Sequence, residues 1–233
     1  MLGDNPIRPQ ELGDGQALWI QEVFYTLQGE GPFSGHPAVF VRLGGCNLAC
    51  YWCDTDFESS TWHPSLEELL EKIRAERPDF CDLIVITGGE PFRQNIAKLV
   101  ESLLGQNLRV QIETNGTLWI PLPDSDRLHI VCSPKTAKLN DQLEKRIGSY
   151  KYILAAGQID DQDGLPSYST QKRDQSQRLA RPAPTRSEVP VYVLPLDSQD
   201  AQVNASNVAA TVDVALKYGY RLTLQTHKVI GVR

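Results

Sequence analysis

The sequence predicts an α/β fold, a partial (open) parallel β/α barrel formed by a single domain over residues 1–233. Three observations lead there. Segments of β character alternate with segments of helical period, which builds a parallel sheet. The strand count suggests an open or partial barrel rather than a full eightfold one. Polar motifs sit at the ends of predicted strands, where such folds keep their chemistry: Gly88-Gly89-Glu90, Glu113-Thr114-Asn115-Gly116 and Ser133-Pro134-Lys135.

The elements follow in order. Residues 1–18 are rich in Gly, Pro and polar groups and read as a flexible leader. Residues 19–25 alternate like a strand, and Gly29-Glu30-Gly31-Pro32 forms a turn. Residues 38–43 make a second strand, closed by Gly44-Gly45. Ser65 and Glu68 form a capping box before a helix whose apolar face is Leu66, Leu69, Leu70 and Ile73. Residues 82–86 are a short apolar strand that ends at Thr87-Gly88-Gly89. A helix over residues 94–104 has Ile96, Leu99, Val100, Leu103 and Leu104 on one side and Gly105 as its stop. Residues 109–112, 127–131, 150–154 and 189–194 are further strands. Residues 202–218 are helical, with Val208, Val212, Ala215 and Leu216 spaced for one face and Gly219 behind them. Residues 221–225 make the last strand. Residues 157–187 break the pattern with few apolar groups and several prolines, and read as a surface insertion, partly disordered, within one domain.

Composition narrows the function. Hydrophobic residues at 41% can bury a core, and 22% charged residues fit a soluble globular chain. The net charge of −6 argues against direct nucleic-acid binding. The basic-leaning stretch from Lys172 to Arg186 is diluted by Asp174, flanked by Glu188, and reads as a solvated loop. No apolar run approaches the ~20 residues that span a bilayer. The first residues carry no apolar stretch of a secretory signal. The expected compartment is the cytoplasm, where thiols stay reduced.

The five cysteines are an odd number, and three lie within eight residues: Cys46, Cys50 and Cys53, spaced C-x3-C-x2-C after a strand and a Gly-Gly turn. Three thiolates on one short loop can wrap one corner of an iron–sulfur cubane and leave one iron open for a small molecule. A structural zinc site wants four ligands, so a zinc reading needs His36 or His63 as the fourth. Zinc motifs usually pair two C-x2-C units, and no second pair is present here. Cys81 and Cys132 lie outside the motif and read as small buried residues.

This C-x3-C-x2-C loop, with Trp52 inside it, resembles the radical S-adenosylmethionine superfamily. The resemblance implies a [4Fe–4S] cluster on Cys46, Cys50 and Cys53, with S-adenosylmethionine on the open iron as the source of a 5′-deoxyadenosyl radical. It also implies that the fold is the open barrel of that superfamily. Thr87-Gly88-Gly89-Glu90-Pro91 looks like the family's GGEP element, in which Glu90 would accept from the methionine ammonium. Glu113-Thr114-Asn115-Gly116 resembles the ribose-side motif, and Ser133-Pro134-Lys135 would also touch S-adenosylmethionine. Trp52, Cys53, Asp54, Gly89, Glu90, Glu113, Asn115, Ser133, Pro134, Lys135 and Gln225 are the cofactor-binding positions so implied. The bland readings are turns for Gly-Gly and Asn-Gly and an exposed lysine for Lys135.

A narrower resemblance runs through the segment EVFYTLQGEGPFSGHPAVFVRLGGCNLACYWCDT and on through TGGEP, ETNGT, SPK and QTHK. It is similar to the 7-carboxy-7-deazaguanine synthase family of queuosine biosynthesis. That family contracts 6-carboxy-5,6,7,8-tetrahydropterin to 7-carboxy-7-deazaguanine, releases ammonia and uses Mg²⁺. The resemblance implies substrate contacts from Leu27, Gln28, Gly29, Glu30, Arg42 and Thr87, with Arg42 clamping the substrate carboxylate, and a Mg²⁺ oxygen from Thr55. It further implies a homodimer and an electron donor such as flavodoxin or ferredoxin. Each position has a plainer alternative. Arg42 could pair with Glu113, Gln28–Glu30 and Thr55 could be turn residues, and His227 and Lys228 read as a solvated strand end. Two other functions compete: a glycyl-radical-type activase, and a zinc-stabilised binding module without catalysis. The activase would not carry LQGEGPFSG, and the zinc module would stay colourless after anaerobic reconstitution. The insertion is longer than the family implies. A role for the carboxylate of Arg233 at the substrate is open.

Overall fold

The structure, a computed structural model, describes residues 5–171 and 177–232. One eight-stranded sheet runs in chain order and ends at β1 and β8, so it is open. The strands are β1 (Ile20–Leu27), β2 (Pro37–Leu43), β3 (Leu83–Gly88), β4 (Arg109–Thr114), β5 (Leu128–Cys132), β6 (Ser149–Leu154), β7 (Val191–Pro195) and β8 (Arg221–Leu222). The helices are α1 (Leu66–Glu76), α2 (Ala97–Gly105), α3 (Asp141–Glu144), α4 (Ala201–Tyr218) and α5 (Thr226–Ile230).

The sheet departs from the expected parallel form at one edge. β1 pairs antiparallel with β2, and each later neighbour is parallel. The chain between Leu27 and Pro37 is too short for a crossover, which needs a dozen or more residues. β3 reads Leu83-Ile84-Val85-Ile86, and all four are fully buried, as suits a strand covered on both faces. Register places Arg42 beside Thr87 and Leu43 beside Gly88, so the cysteine loop and the Thr87-Gly88-Gly89 turn leave the sheet side by side.

α1 begins as its sequence requires. Ser65 Oγ accepts from the Glu68 N–H, and the Glu68 carboxylate accepts from the Ser65 N–H. Leu69 and Ile73 are buried, with Leu66 and Leu70 partly so. α2 corrects its expected ends. It starts at Ala97, after a short 3₁₀ turn over Pro91–Arg93, and it contains Gly105. The left-handed residue behind it is Asn107, at φ 63°, and the Leu108 N–H closes on the Leu103 carbonyl.

α4 turns a different face to the sheet from the one its apolar spacing suggests. Asn207, Thr211 and Val214 are buried, whereas Val208 and Leu216 are exposed. The Asn207 side chain accepts from the Ala156 N–H (2.8 Å) and donates to the Leu196 carbonyl (2.8 Å). These bonds to the ends of β6 and β7 set the helix rotation. β8 stops at Leu222, and the expected strand to residue 225 gives way to α5.

The leader and the insertion are more ordered than expected. Ile7 bridges to Cys46 and Glu11 to Gln94, and the Arg8 N–H donates to the Cys46 carbonyl (2.7 Å). In the insertion, Leu165 and Leu179 join the core, and Arg178 and Arg181 both pair with Asp163. Arg186 donates to the carbonyls of Glu144 and Ile147. Its described part is therefore packed, not a free solvated loop. Residues 172–176 of the basic stretch, and Arg233, lie outside the described residues.

Candidate active site

A cavity of about 710 Å³ opens at the C-terminal ends of the strands. One wall is the cysteine loop that follows β2. Glycine shapes this wall. Gly45 sits at φ +77°, and its carbonyl accepts from the Glu90 N–H (3.1 Å). A Cβ at Gly89 would stand 2.2 Å from the Gly45 oxygen and 2.7 Å from the Cys46 Cβ. The glycine pair thus lets the β3 turn press against the cysteine loop, which a simple turn would not require.

Cys46, Cys50 and Cys53 all line the cavity. Burial first, and the nearby Glu90 charge next, push the Cys46 thiol up to about 12. Burial also raises the Cys53 thiol. A soft cation would displace these protons on binding. Among the described residues no three His, Cys, Asp or Glu side chains are drawn together tightly enough to hold a metal ion as they stand. The donor set still fits an iron–sulfur cluster: three thiols on one loop face a cavity with room for a second ligand. Trp52 lies beside them, with Lys135 Nζ 5.2 Å from its ring centre.

Next to this wall, Gly89, Asn115, Ser133 and Lys135 line the cavity. The Asn115 side chain donates to Asn47 Oδ1 (2.9 Å), tying the β4 end to the cysteine loop. Burial lowers Lys135, which donates to Ser133 Oγ. Two further expected cofactor positions stand off this wall. Glu90 is fully buried and is not on the cavity wall. Its carboxylate accepts from Phe92 N (3.0 Å), Thr114 Oγ1 (2.7 Å) and Asn115 N (2.7 Å), so it braces the floor of the site. Pro134 faces a small neighbouring cavity.

The opposite wall is charged. Lys151 Nζ lies 2.7 Å from Glu30 Oε2 and 2.7 Å from Glu113 Oε2. Gln225 donates to Glu30 Oε1 (3.0 Å), and Gln111 donates to Glu113. Burial works to raise Glu30, but the Lys151 charge and the Lys151 and Gln225 hydrogen bonds hold it below the usual carboxylate range. Glu113 shares the same cation and is displaced upward, by burial first and by the Glu30 charge as well. Leu27, Gln28, Arg42 and Thr87 line this half. Gly29 does not: it packs on His227, and its carbonyl accepts from Thr226 N and Ser34 Oγ. Arg42 pairs with Glu22 (2.7 Å), not with Glu113. Thr55 and Asp54 border the mouth, where Thr55 Oγ1 donates to Asp54 Oδ1 (3.2 Å).

The sequence reading did not place Lys151, His227 or Lys228 at the site. Lys151 had a signal, a lone charge among the apolar residues of β6, where a buried cation needs partners. His227 and Lys228 are not a solvated strand end. Both line the cavity, and Lys228 joins Asp54 (2.9 Å) to Asp197 (3.0 Å). Their placement depends on α5 folding back over Gly29.

Comparison with known proteins gives consistent results. A family model described as the radical SAM superfamily matches residues 40–128. The chain is 55% identical to the 7-carboxy-7-deazaguanine synthase of Rhodospirillum rubrum, with all of both chains covered. It is 39% identical to the enzyme of that name in Rickettsia prowazekii, with 100% of this chain and 96% of the relative covered. The crystal structure of QueE from Escherichia coli superposes with a TM-score of 0.65 at 24% identity, over 91% of this chain and 95% of that one, a likeness of fold.

Proposed function

The chain belongs to the 7-carboxy-7-deazaguanine synthase family of radical S-adenosylmethionine enzymes, and from that premise we propose that it converts 6-carboxy-5,6,7,8-tetrahydropterin to 7-carboxy-7-deazaguanine with release of ammonia. It is an enzyme of 7-deazapurine biosynthesis, and its family implies a [4Fe–4S] cluster and S-adenosylmethionine. The observation that carries the substrate reading is the two-sided cavity, with thiols and glycines on one wall and a carboxylate–lysine pocket on the other.

Cys46, Cys50 and Cys53 hold the cluster in this reading. When bound, cluster and S-adenosylmethionine supply the radical that takes a hydrogen atom from the substrate. The remaining work belongs to the chain. The Gly89 backbone, Asn115, Ser133 and Lys135 orient the cofactor, with Trp52 beside it. Glu30 faces the N–H groups of the pterin's guanidine-like edge, Gln28 offers both donor and acceptor, and Glu113, on the same Lys151, serves the ribose side of the cofactor as its motif implies. Arg42 clamps the substrate carboxylate, exchanging Glu22 for it. Thr55 gives one oxygen to Mg²⁺, which borrows the rest from substrate and water. We further propose a homodimer, a single domain over the whole chain, a cytoplasmic setting and a flavodoxin- or ferredoxin-type donor. Among the described residues no helix is long and apolar enough to cross a membrane.

The test is anaerobic turnover. The chain is reconstituted with iron and sulfide, then supplied with S-adenosylmethionine, Mg²⁺, reductant and the tetrahydropterin, and the product is read by mass. Product that disappears in Cys50→Ala and falls without Mg²⁺ is the expected result. A brown protein that cleaves S-adenosylmethionine but leaves the pterin intact would overturn the substrate assignment. A colourless zinc protein would overturn the chemistry.

A further inference from the structure

We propose that the insertion grips the cysteine loop through Thr170 and Gln171, and that these two side chains set the reduction potential of the iron–sulfur cluster by hydrogen-bonding the Cys50 sulfur. The inference rests on Cys50 being a cluster ligand, as proposed above.

The contacts converge on three consecutive loop residues. Thr170 Oγ1 is 3.1 Å from Cys50 Sγ, and Gln171 Nε2 donates to the same sulfur at 3.3 Å. The Ala49 N–H donates to Gln171 Oε1 (3.1 Å), and the Tyr51 N–H donates to the Thr170 carbonyl (3.2 Å). The bonds at the other two thiols come from within the loop: the Leu48 N–H reaches Cys46 Sγ, and Cys53 Sγ donates to the Thr55 carbonyl.

Proton accounting gives the direction of the effect. A ligating Cys50 is a thiolate with no proton to give, so the Thr170 hydroxyl must donate. Its competing acceptor, the Lys135 carbonyl, is farther away at 3.4 Å. Gln171 has two amide protons, one for the sulfur and one for Thr170 Oγ1 (3.1 Å). The result is a chain of donors, Gln171 to Thr170 to sulfur, in which each bond polarises the next. Donors at a cluster sulfur draw off electron density and favour the more negative reduced state.

The donors are held by a packed segment. Thr170 and Ser169 are buried, and Ser169 Oγ donates to the Lys135 carbonyl (2.9 Å). Tyr152 and Tyr220 donate to the carbonyls of Ala180 and Asp163 from the sheet side. The insertion thereby joins the Ser133-Pro134-Lys135 loop to the cysteine loop, the two walls expected to hold S-adenosylmethionine.

The measurement is a redox titration of the reconstituted full-length chain followed by electron paramagnetic resonance, with iron and sulfide content determined for each sample. Thr170→Val removes the hydroxyl at nearly constant shape, Gln171→Leu removes the amide, and Thr170→Ser keeps the hydroxyl. The expected result is a lower midpoint in the first two. In the double variant the ratio of reduced to oxidised cluster at fixed potential falls about tenfold, a shift of about 59 mV for one electron. Thr170→Ser stays at the wild-type value. A Thr170→Val chain that loses its cluster while Thr170→Ser keeps it also supports the grip. Equal midpoints in fully loaded wild type, Thr170→Val and Gln171→Leu would overturn the proposal, as would a Thr170→Ser chain behaving like Thr170→Val. A wild-type chain that takes up no cluster would overturn both this proposal and the reading it rests on.

Discussion

Lys151 bridges Glu30 and Glu113, and most of its side chain is out of water. Removing it leaves two buried carboxylates facing each other. Breaking such a pair costs about 3–5 kcal/mol, because the remaining charges keep their desolvation cost and lose their partner. Lys151→Met is therefore expected to lower the unfolding free energy in urea by that amount at neutral pH, and Glu113→Gln added to it should restore part of the loss. A loss below about 1 kcal/mol would mean that water already screens the triad. Asp197 allows a test by pH. The Gln199 N–H, the Asn204 amide and Lys228 hold its carboxyl down at about 2. A carboxylate depressed in the folded state adds stability above its unfolded pKa, near 3.8, and loses it as pH falls toward about 2. Thermal melts should show Asp197→Asn less stable than wild type near neutrality, with the gap closing across that acid window. A gap that stays constant through the window would exclude the linkage.

At the scale of the element, α4 shows polar side chains outweighing apolar spacing. The helix has enough alanine and valine to suggest a Val208–Val212–Ala215 face, yet Asn207 decides its rotation by bonding the ends of β6 and β7. Asn207→Leu is expected to destabilise the chain by about 1 kcal/mol despite its added apolar surface, since it removes the side-chain partner of the part-buried Ala156 N–H and Leu196 carbonyl. Chemical denaturation with an unchanged m-value would read that loss, and a stabilised variant would show that α4 is held by its apolar contacts instead. α1 is the opposite case, fully legible beforehand, because a capping box and an i, i+3, i+4, i+7 stripe are local signals that no distant contact has to supply.

Across the whole molecule, eight strands share one hydrogen-bonded sheet, and both the leader and the insertion bond back to it. Neither can leave without exposing core residues such as Leu18, Leu165 and Leu179. Urea unfolding followed by far-ultraviolet dichroism and by tryptophan fluorescence should therefore give coincident transitions. Separate midpoints would mark the insertion as a unit of its own and would sink the single-domain proposal.

What could be read beforehand was what depends on neighbours in the chain. The strand–helix alternation, the α1 cap, the cysteine spacing and the glycine pair beside it all fall in this class, and so do the buried positions of Cys81 and Cys132. What the tertiary structure decided involves partners far apart in the chain. Glu30 meets Lys151 across 121 positions, and Gln171 reaches Cys50 across 121 as well. Glu90 turns inward because Thr114 and the Asn115 N–H claim its carboxylate, and Gly29 is bare because His227 arrives from the far end of the chain. Side-chain periodicity reports which residues leave water; it does not report which polar groups meet once they have left, since that pairing is set by the order in which the strands lie in the sheet.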